Sequence, residues 1–154
     1  MAKALRTPQG LRRALNLYPP YLFAGVRVLD IADDWSHARV RLRLGRLNRN
    51  YFGTQFGGSL YSMSDPFWCL LAVNRLGRDH VVWDKAAEIE FVSPGRGDVY
   101  TEFTLAEERM AEIRAATADG SKALPWFEST VTTADGTVVA RVRKQLYVRR
   151  RPQR

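Results

Sequence analysis

Val40, Leu42 and Leu44 alternate with Arg39, Arg41 and Arg43, a period of two that gives residues 35–44 one apolar and one charged face, as in a half-buried strand. Upstream, Leu11 and Leu15 continue a basic helical pattern begun near Leu5 across residues 3–17, and the tandem Pro19 and Pro20 stop it. A strand is expected next over residues 23–31. Residues 81–92 and 98–107 read as further strands. Residues 126–133 and 138–148 read as a hairpin, turned by residues 134–137, where Asp135 and Gly136 form a strong turn signal. Between the strand at 98–107 and this hairpin, residues 107–120 allow a short helix or a strand continuing through Ile113. Residues 59–75 carry aromatic and aliphatic side chains on nearly every side, so a helix there is wrapped by the rest of the protein, and Gly77 ends it. One buried helix with five or six strands predicts an α+β fold, an antiparallel sheet curled around one long central helix.

With 154 residues, 45% hydrophobic and 26% charged, the chain has the size and apolar content of a single domain. Residues 1–20 form a helical extension of that domain and residues 149–154 a basic tail. The only cysteine, Cys69, excludes an intrachain disulfide and a four-cysteine zinc site, and fits a reducing compartment. Its setting, WCLLAV, is that of a buried structural thiol. His37 and His80 lack the paired spacing of zinc enzymes, so no metal is expected. The longest apolar run, residues 67–73, is far short of the roughly 18–20 residues of a membrane span. Lys3, Arg6, Arg12, Arg13 and Arg27 precede the first acid, Asp30. This bias is shared with transit peptides, but the segment has neither an apolar core nor serine enrichment, and a cytoplasmic protein is expected.

The net charge of +8 is uneven. Residues 141–154 hold seven basic groups and no acid, whereas the remainder is almost balanced, with 17 basic and 16 acidic groups. That stretch is either a solvated tail or a contact for an anion such as a phosphate-bearing ligand, nucleic acid or acidic lipid. No zinc-finger spacing, RNA-binding signature or helix-turn-helix accompanies it, so nucleic acid is not the expected partner.

The chemistry concentrates in residues 50–65, NYFGTQFGGSLYSMSD. Gly57 and Gly58 at a helix start leave backbone N–H groups uncovered where the helix dipole is positive, an arrangement suited to an oxyanion. A tight loop entering a helix would use the same glycines. Asp65 followed by Pro66 fits an N-cap and first helical position. It equally fits an acid presented into a cleft to activate water or attack a carbonyl, and a helix kinked at Pro66 reconciles both. By alternation Trp83, Lys85, Ala87, Ile89 and Phe91 share a face, where Lys85 must reach water, an acid such as Asp65, or an anionic ligand. Lys144 poses the same question among Val138, Ala140, Val142, Leu146 and Val148.

Asn50, five residues, Phe56-Gly57-Gly58, six residues and Asp65 resemble the motif of the PaaI-like hotdog-fold acyl-CoA thioesterases, with Phe56 where that family has histidine. FGTQFGGSLYSMSDPF and VWDKAAEIEFVSPGRG resemble, more narrowly, a less characterised branch carrying FGG in place of HGG. The likeness spans about residues 20–148. It implies a hotdog fold and thioester hydrolysis, with Asp65 as general base or nucleophile, Asn50 orienting water or the carboxylate, and the Gly58 N–H polarising the carbonyl. Phe56, Gly57 and Tyr61 are the implied acyl-side contacts. Lys85 and, through coenzyme A phosphates, Arg143 and Lys144 are further ligand contacts. Coenzyme A enters as part of the substrate, with no separate cofactor. Family sites lie between subunits, which implies a homodimer or homotetramer. The rival expectation is an acyl-CoA or lipid-binding protein that lost turnover with the histidine.

Overall fold

Thr7 caps the first helix, its side chain accepting from the Gly10 N–H, and Pro8 occupies a first-turn position where its missing donor is harmless. This is seen in a computed structural model that describes residues 6–152. Lys3 and Leu5 of the expected first helix, and residues 153–154 of the expected tail, lie outside the described residues. Helix α1 spans Pro8–Leu17. The tandem proline ends it as expected but also begins α2, Pro19–Ala24, because a ring with φ fixed near −65° suits a helix start as well as it blocks a helix interior. The strand expected from residue 23 is displaced accordingly. Gly25 first turns the chain at φ 84, and β1 runs Val26–Ile31.

The other strands are β2 (His37–Leu42), β3 (His80–Phe91), β4 (Val99–Thr104), β5 (Lys122–Ala123), β6 (Trp126–Thr133) and β7 (Val138–Arg150). They form one antiparallel sheet in the order β1-β2-β4-β6-β7-β3, with the two-residue β5 pairing the end of β7. Sequence alternation located β2 and the β6–β7 hairpin well. The basic stretch, by contrast, is mostly not a tail: residues 141–150 belong to β7, between β6 and β3. Alternation sends Arg141 and Arg143 to the outer face, where Arg141 meets Glu90, and Arg143 meets Glu88 and Glu128. The like charges that seemed clustered in sequence are interleaved with acids from neighbouring strands.

The central helical course is in two pieces, α3 (Gly57–Ser62) and α4 (Phe67–Leu76). Phe67 stacks on Phe103 with ring centroids 4.9 Å apart, and Trp68 lies edge-on to Phe103 and stacks on Phe127. One face of the sheet thus packs against α4. Residues 107–116 resolve as a helix, α5 (Glu107–Ala116). Glu107 and Glu108 in its first turn and Arg114 in its last suit the helix dipole, and Met110 and Ile113 are buried. Among the described residues no helix is long and apolar enough to cross a membrane.

Candidate active site

Asn50 anchors the loop that leads into α3. Its side-chain oxygen accepts from the N–H groups of Phe52 and Thr54, and its amide donates to the Thr54 hydroxyl and the Gln55 carbonyl. Both ends of the side chain are therefore used within the loop. Gln55 is buried and donates to the carbonyls of Leu42 and Gly97, tying the loop to the sheet. Phe56 then leaves in an extended conformation as the residue before α3. The N–H groups of Gly57 and Gly58 have no acceptor among the described residues. A Cβ on Gly57 would lie 3.0 Å from the Phe91 ring, and one on Gly58 would lie 2.5 Å from the ring of Phe56. Two aromatic rings thus pack on the glycine pair, and only glycine lets them approach so closely.

Pro66 explains the break in the central helix. It has no N–H to offer the Ser62 carbonyl one turn back, so the helix tightens there, with Ser64 bonding to Tyr61 and Asp65 making a long 3.4 Å contact to Ser62. The Tyr21 hydroxyl, reaching over from α2, donates to the Ser62 carbonyl at 3.0 Å. Asp65 sits on this turn. The N-cap reading does not hold, because α4 has Pro66 in the capping position and no side-chain cap. The carboxylate instead accepts from the Tyr61 hydroxyl at 2.8 Å and from the Lys144 ammonium at 2.5 Å, both on Oδ1.

Lys144 therefore holds the place expected of Lys85. A β-bulge between Asp84 and Ala86 changes which residues of β3 face inward. Val82, then Asp84, then Ala87 and Ile89 pair with inward-facing Val148, Leu146, Lys144 and Val142 of β7. Lys85 stands at the bulge, exposed and without a hydrogen bond or ion pair among the described residues. Lys144 is 3% exposed, and it lies 2.5 Å from Asp65 and 3.3 Å from Asp84, whose side chains are 43% and 38% exposed. The Tyr61 hydroxyl is a third partner at 3.3 Å. A buried ammonium thus meets two half-exposed carboxylates, each keeping one oxygen without a partner among the described residues.

The charges respond in kind. Burial alone would lower the Lys144 pKa, but the hydrogen bond and charge of Asp65, then Asp84 and Tyr61, leave it raised. Burial raises the Asp84 pKa, with Lys144 opposing and Asp65 adding to the rise. Tyr61 is raised by burial and then by Asp65, and Tyr21 well above its ordinary value for the same two reasons.

The profile described as "Domain of unknown function (DUF4442)" matches residues 9–148. The chain belongs to that family. No curated protein matches it. Among solved structures it is similar to a Pseudomonas aeruginosa protein of unknown function described as a probable thioesterase, with 22% identity, TM-score 0.82, and 94% of this chain and 97% of that one covered. It is also similar to a Haemophilus influenzae thioesterase at 14% identity and TM-score 0.69, covering 94% and 91%. The PaaI protein of the Escherichia coli phenylacetic acid degradation operon matches at 12% identity and TM-score 0.60, covering 94% and 92%. At these identities the likeness is one of fold. The hotdog architecture expected from sequence is the one observed.

In this DUF4442 domain the remaining expected contacts separate. Arg143 and Lys144 lie on opposite faces of β7, Arg143 stacking over Trp126 and Lys144 buried against Asp65. Contrary to the expectation of a shared phosphate contact, alternation along β7 keeps the two from gripping one phosphate together and leaves Lys144 buried. Arg149 donates to the Gly120 carbonyl. Cys69 contacts the Val82 carbonyl, and its thiol pKa is pushed up to about 11 by burial and by Asp84, which keeps it protonated and weakly nucleophilic at neutral pH. Among the described residues no group of three or more His, Cys, Asp or Glu side chains could hold a metal ion. Sequence reading missed Asp84 and Tyr21; the DK pair at 84–85 was visible, but the bulge that picks its first member was not.

Proposed function

We propose that this protein is a thioesterase hydrolysing acyl-CoA or a related thioester, with Asp65 as general base or nucleophile. The supporting observation is the pairing of Gly57 and Gly58 N–H groups, which lack acceptors among the described residues, with a half-exposed carboxylate held two turns along the same helical course. A thioester carbonyl bound at the glycines would meet the Gly58 N–H, which stabilises the oxyanion as water or Asp65 adds to the carbon. Asn50 acts by fixing the loop that delivers those donors. Phe56, Gly57 and Tyr61 form the acyl-side wall. No cofactor beyond the substrate's own coenzyme A is required, and a cytoplasmic setting suits the lone free thiol. Lys85, exposed and without an ion pair among the described residues, is open to the nucleotide end of coenzyme A, whereas Arg143 reaches it only by leaving Glu88 and Glu128.

A homodimer or homotetramer accompanies this reading. Strand β3 ends the sheet with twelve residues, its outer edge pairing with no other strand among the described residues, and carries exposed Trp83 and Phe91, with exposed Val92 following it. Such an edge invites pairing with a second copy. Sedimentation velocity measures the assembly directly.

Release of thiol from short, medium, long and aromatic acyl-CoAs, by wild type and Asp65→Asn at matched folding, tests the activity. The expected result is wild-type turnover lost in the variant. One observation favours a second reading, binding without hydrolysis: the Phe56 ring lies over Gly58 where the family motif carries histidine. Tight acyl-CoA binding with no turnover on any substrate would select it.

A further inference from the structure

Nothing in the motif explains why a lysine is buried behind Asp65 or why a second carboxylate meets it. An ion pair at 2.5 Å with a buried ammonium makes an aspartate a poor base, since the charge that orients it also stabilises its ionised form. Here the ammonium is shared. Asp84 sits 3.3 Å from the same Nζ, delivered to the inner face of β3 by the bulge at residue 85. Two carboxylates around one cation leave the cluster with a net negative charge, so each opposes the ionisation of the other while Lys144 favours both.

We propose that Lys144 and Asp84 are positioning residues for Asp65: Lys144 fixes its rotamer through the 2.5 Å contact, and Asp84 competes for the same ammonium, so that the two act on Asp65 with opposite sign. The inference rests on the thioesterase reading for its purpose but not for its electrostatics. The groups facing Asp65 come from every element around it: Tyr61 on α3, Tyr21 on α2, Cys69 on α4, Asp84 on β3 and Lys144 on β7. The phenols and thiol are held neutral through the acidic and neutral range, since their pKa values are raised. Only the two carboxylates and the ammonium carry charge there, so the sign of each perturbation is fixed. Removing Lys144 takes away an attractive cation and raises the pKa of Asp65. Removing the Asp84 charge takes away a repulsive anion, frees Lys144 for Asp65, and lowers it.

Lys144→Met and Asp84→Asn therefore move the acidic limb of kcat/KM in opposite directions. The first moves it up by roughly one to three pH units, because activity then disappears at a higher pH as Asp65 is protonated. The second moves it down. A purely structural role would lower kcat in either variant without displacing the limb. The carboxyl 13C titration of Asp65 in the ligand-free protein reads the same shifts with no substrate. It also remains informative if Lys144→Met folds poorly, since Asp84→Asn keeps the side-chain shape. Opposite displacements in the titration support the proposal even if no thioester is turned over, in which case the thioesterase reading alone fails. An Asp65 titration that does not move in Asp84→Asn, or that moves the same way in both variants, overturns it.

Discussion

The hydroxyl of Tyr21 takes the place of the N–H that Pro66 lacks, and this substitution is measurable. Tyr21→Phe removes the 3.0 Å bond to the Ser62 carbonyl from a residue that is 5% exposed. A lost hydrogen bond costs about 0.5–1.5 kcal/mol net, and a buried carbonyl left without a partner about 1–3 kcal/mol. Among the described residues the Ser62 carbonyl then retains only the long contact from the Asp65 N–H, which softens the second cost. The expected destabilisation is therefore about 1–2 kcal/mol, read as a lower urea midpoint at unchanged m-value and fixed protein concentration. Pro66→Ala supplies the missing N–H, so the same Tyr21→Phe change in that background should cost about 1 kcal/mol less, a coupling within the range seen for groups in one network. Equal costs in both backgrounds would refute the argument and leave the helix break without this explanation.

Two further outcomes follow from the core and its titrating groups. Phe103→Ala, which empties the fully buried ring stacked on Phe67 and met edge-on by Trp68, should cost about 3–5 kcal/mol in the same assay; a loss under about 1 kcal/mol would mean the aromatic cluster is not the keystone of the core. Stability should also fall as pH rises above about 9. Cys69 and Tyr21 have folded pKa values raised from 9.0 and 10.0, so the unfolded chain releases these protons first, and each one held by the fold contributes a slope of about −1.4 kcal/mol per pH unit until the folded group itself titrates. Tyr21→Phe should remove its share of that slope, and urea midpoints that are flat between pH 8 and pH 10.5 would contradict the assignment.

Much of this architecture was legible in local patterns, and what was not shares a cause. The alternation of Val40 and Leu42 with Arg39 and Arg41, and the turn at Asp135 and Gly136, are decided within a few residues, and the structure keeps them. Pro19 and Pro20 stop one helix and also start the next, because one ring geometry serves both sides of a helix boundary. The seven basic residues near the C-terminus looked like a patch, since sequence lists neighbours along the strand. In the sheet the neighbours that matter are Glu88, Glu90 and Glu128, contributed by two other strands.

The bulge at Lys85 shows how such a non-local choice reaches the chemistry. Strict alternation would put Trp83, Lys85 and Ala87 on one face, with Asp84 on the other. Burying Trp83 and Lys85 there would leave Asp65 beside a long cation from β3 and Lys144 as a second buried ammonium with one acid between them. One extra residue in β3 lets Val82 and Asp84 face inward before the bulge and Ala87 and Ile89 after it, so Lys85 reaches water and Lys144 gains a second carboxylate. A buried lysine is tolerable only when its charge is answered, and here the answer depends on a register shift rather than on a motif. The same shift gives Asp65 a rival for its cation, which ties strand geometry to the charges that surround the proposed catalytic carboxylate.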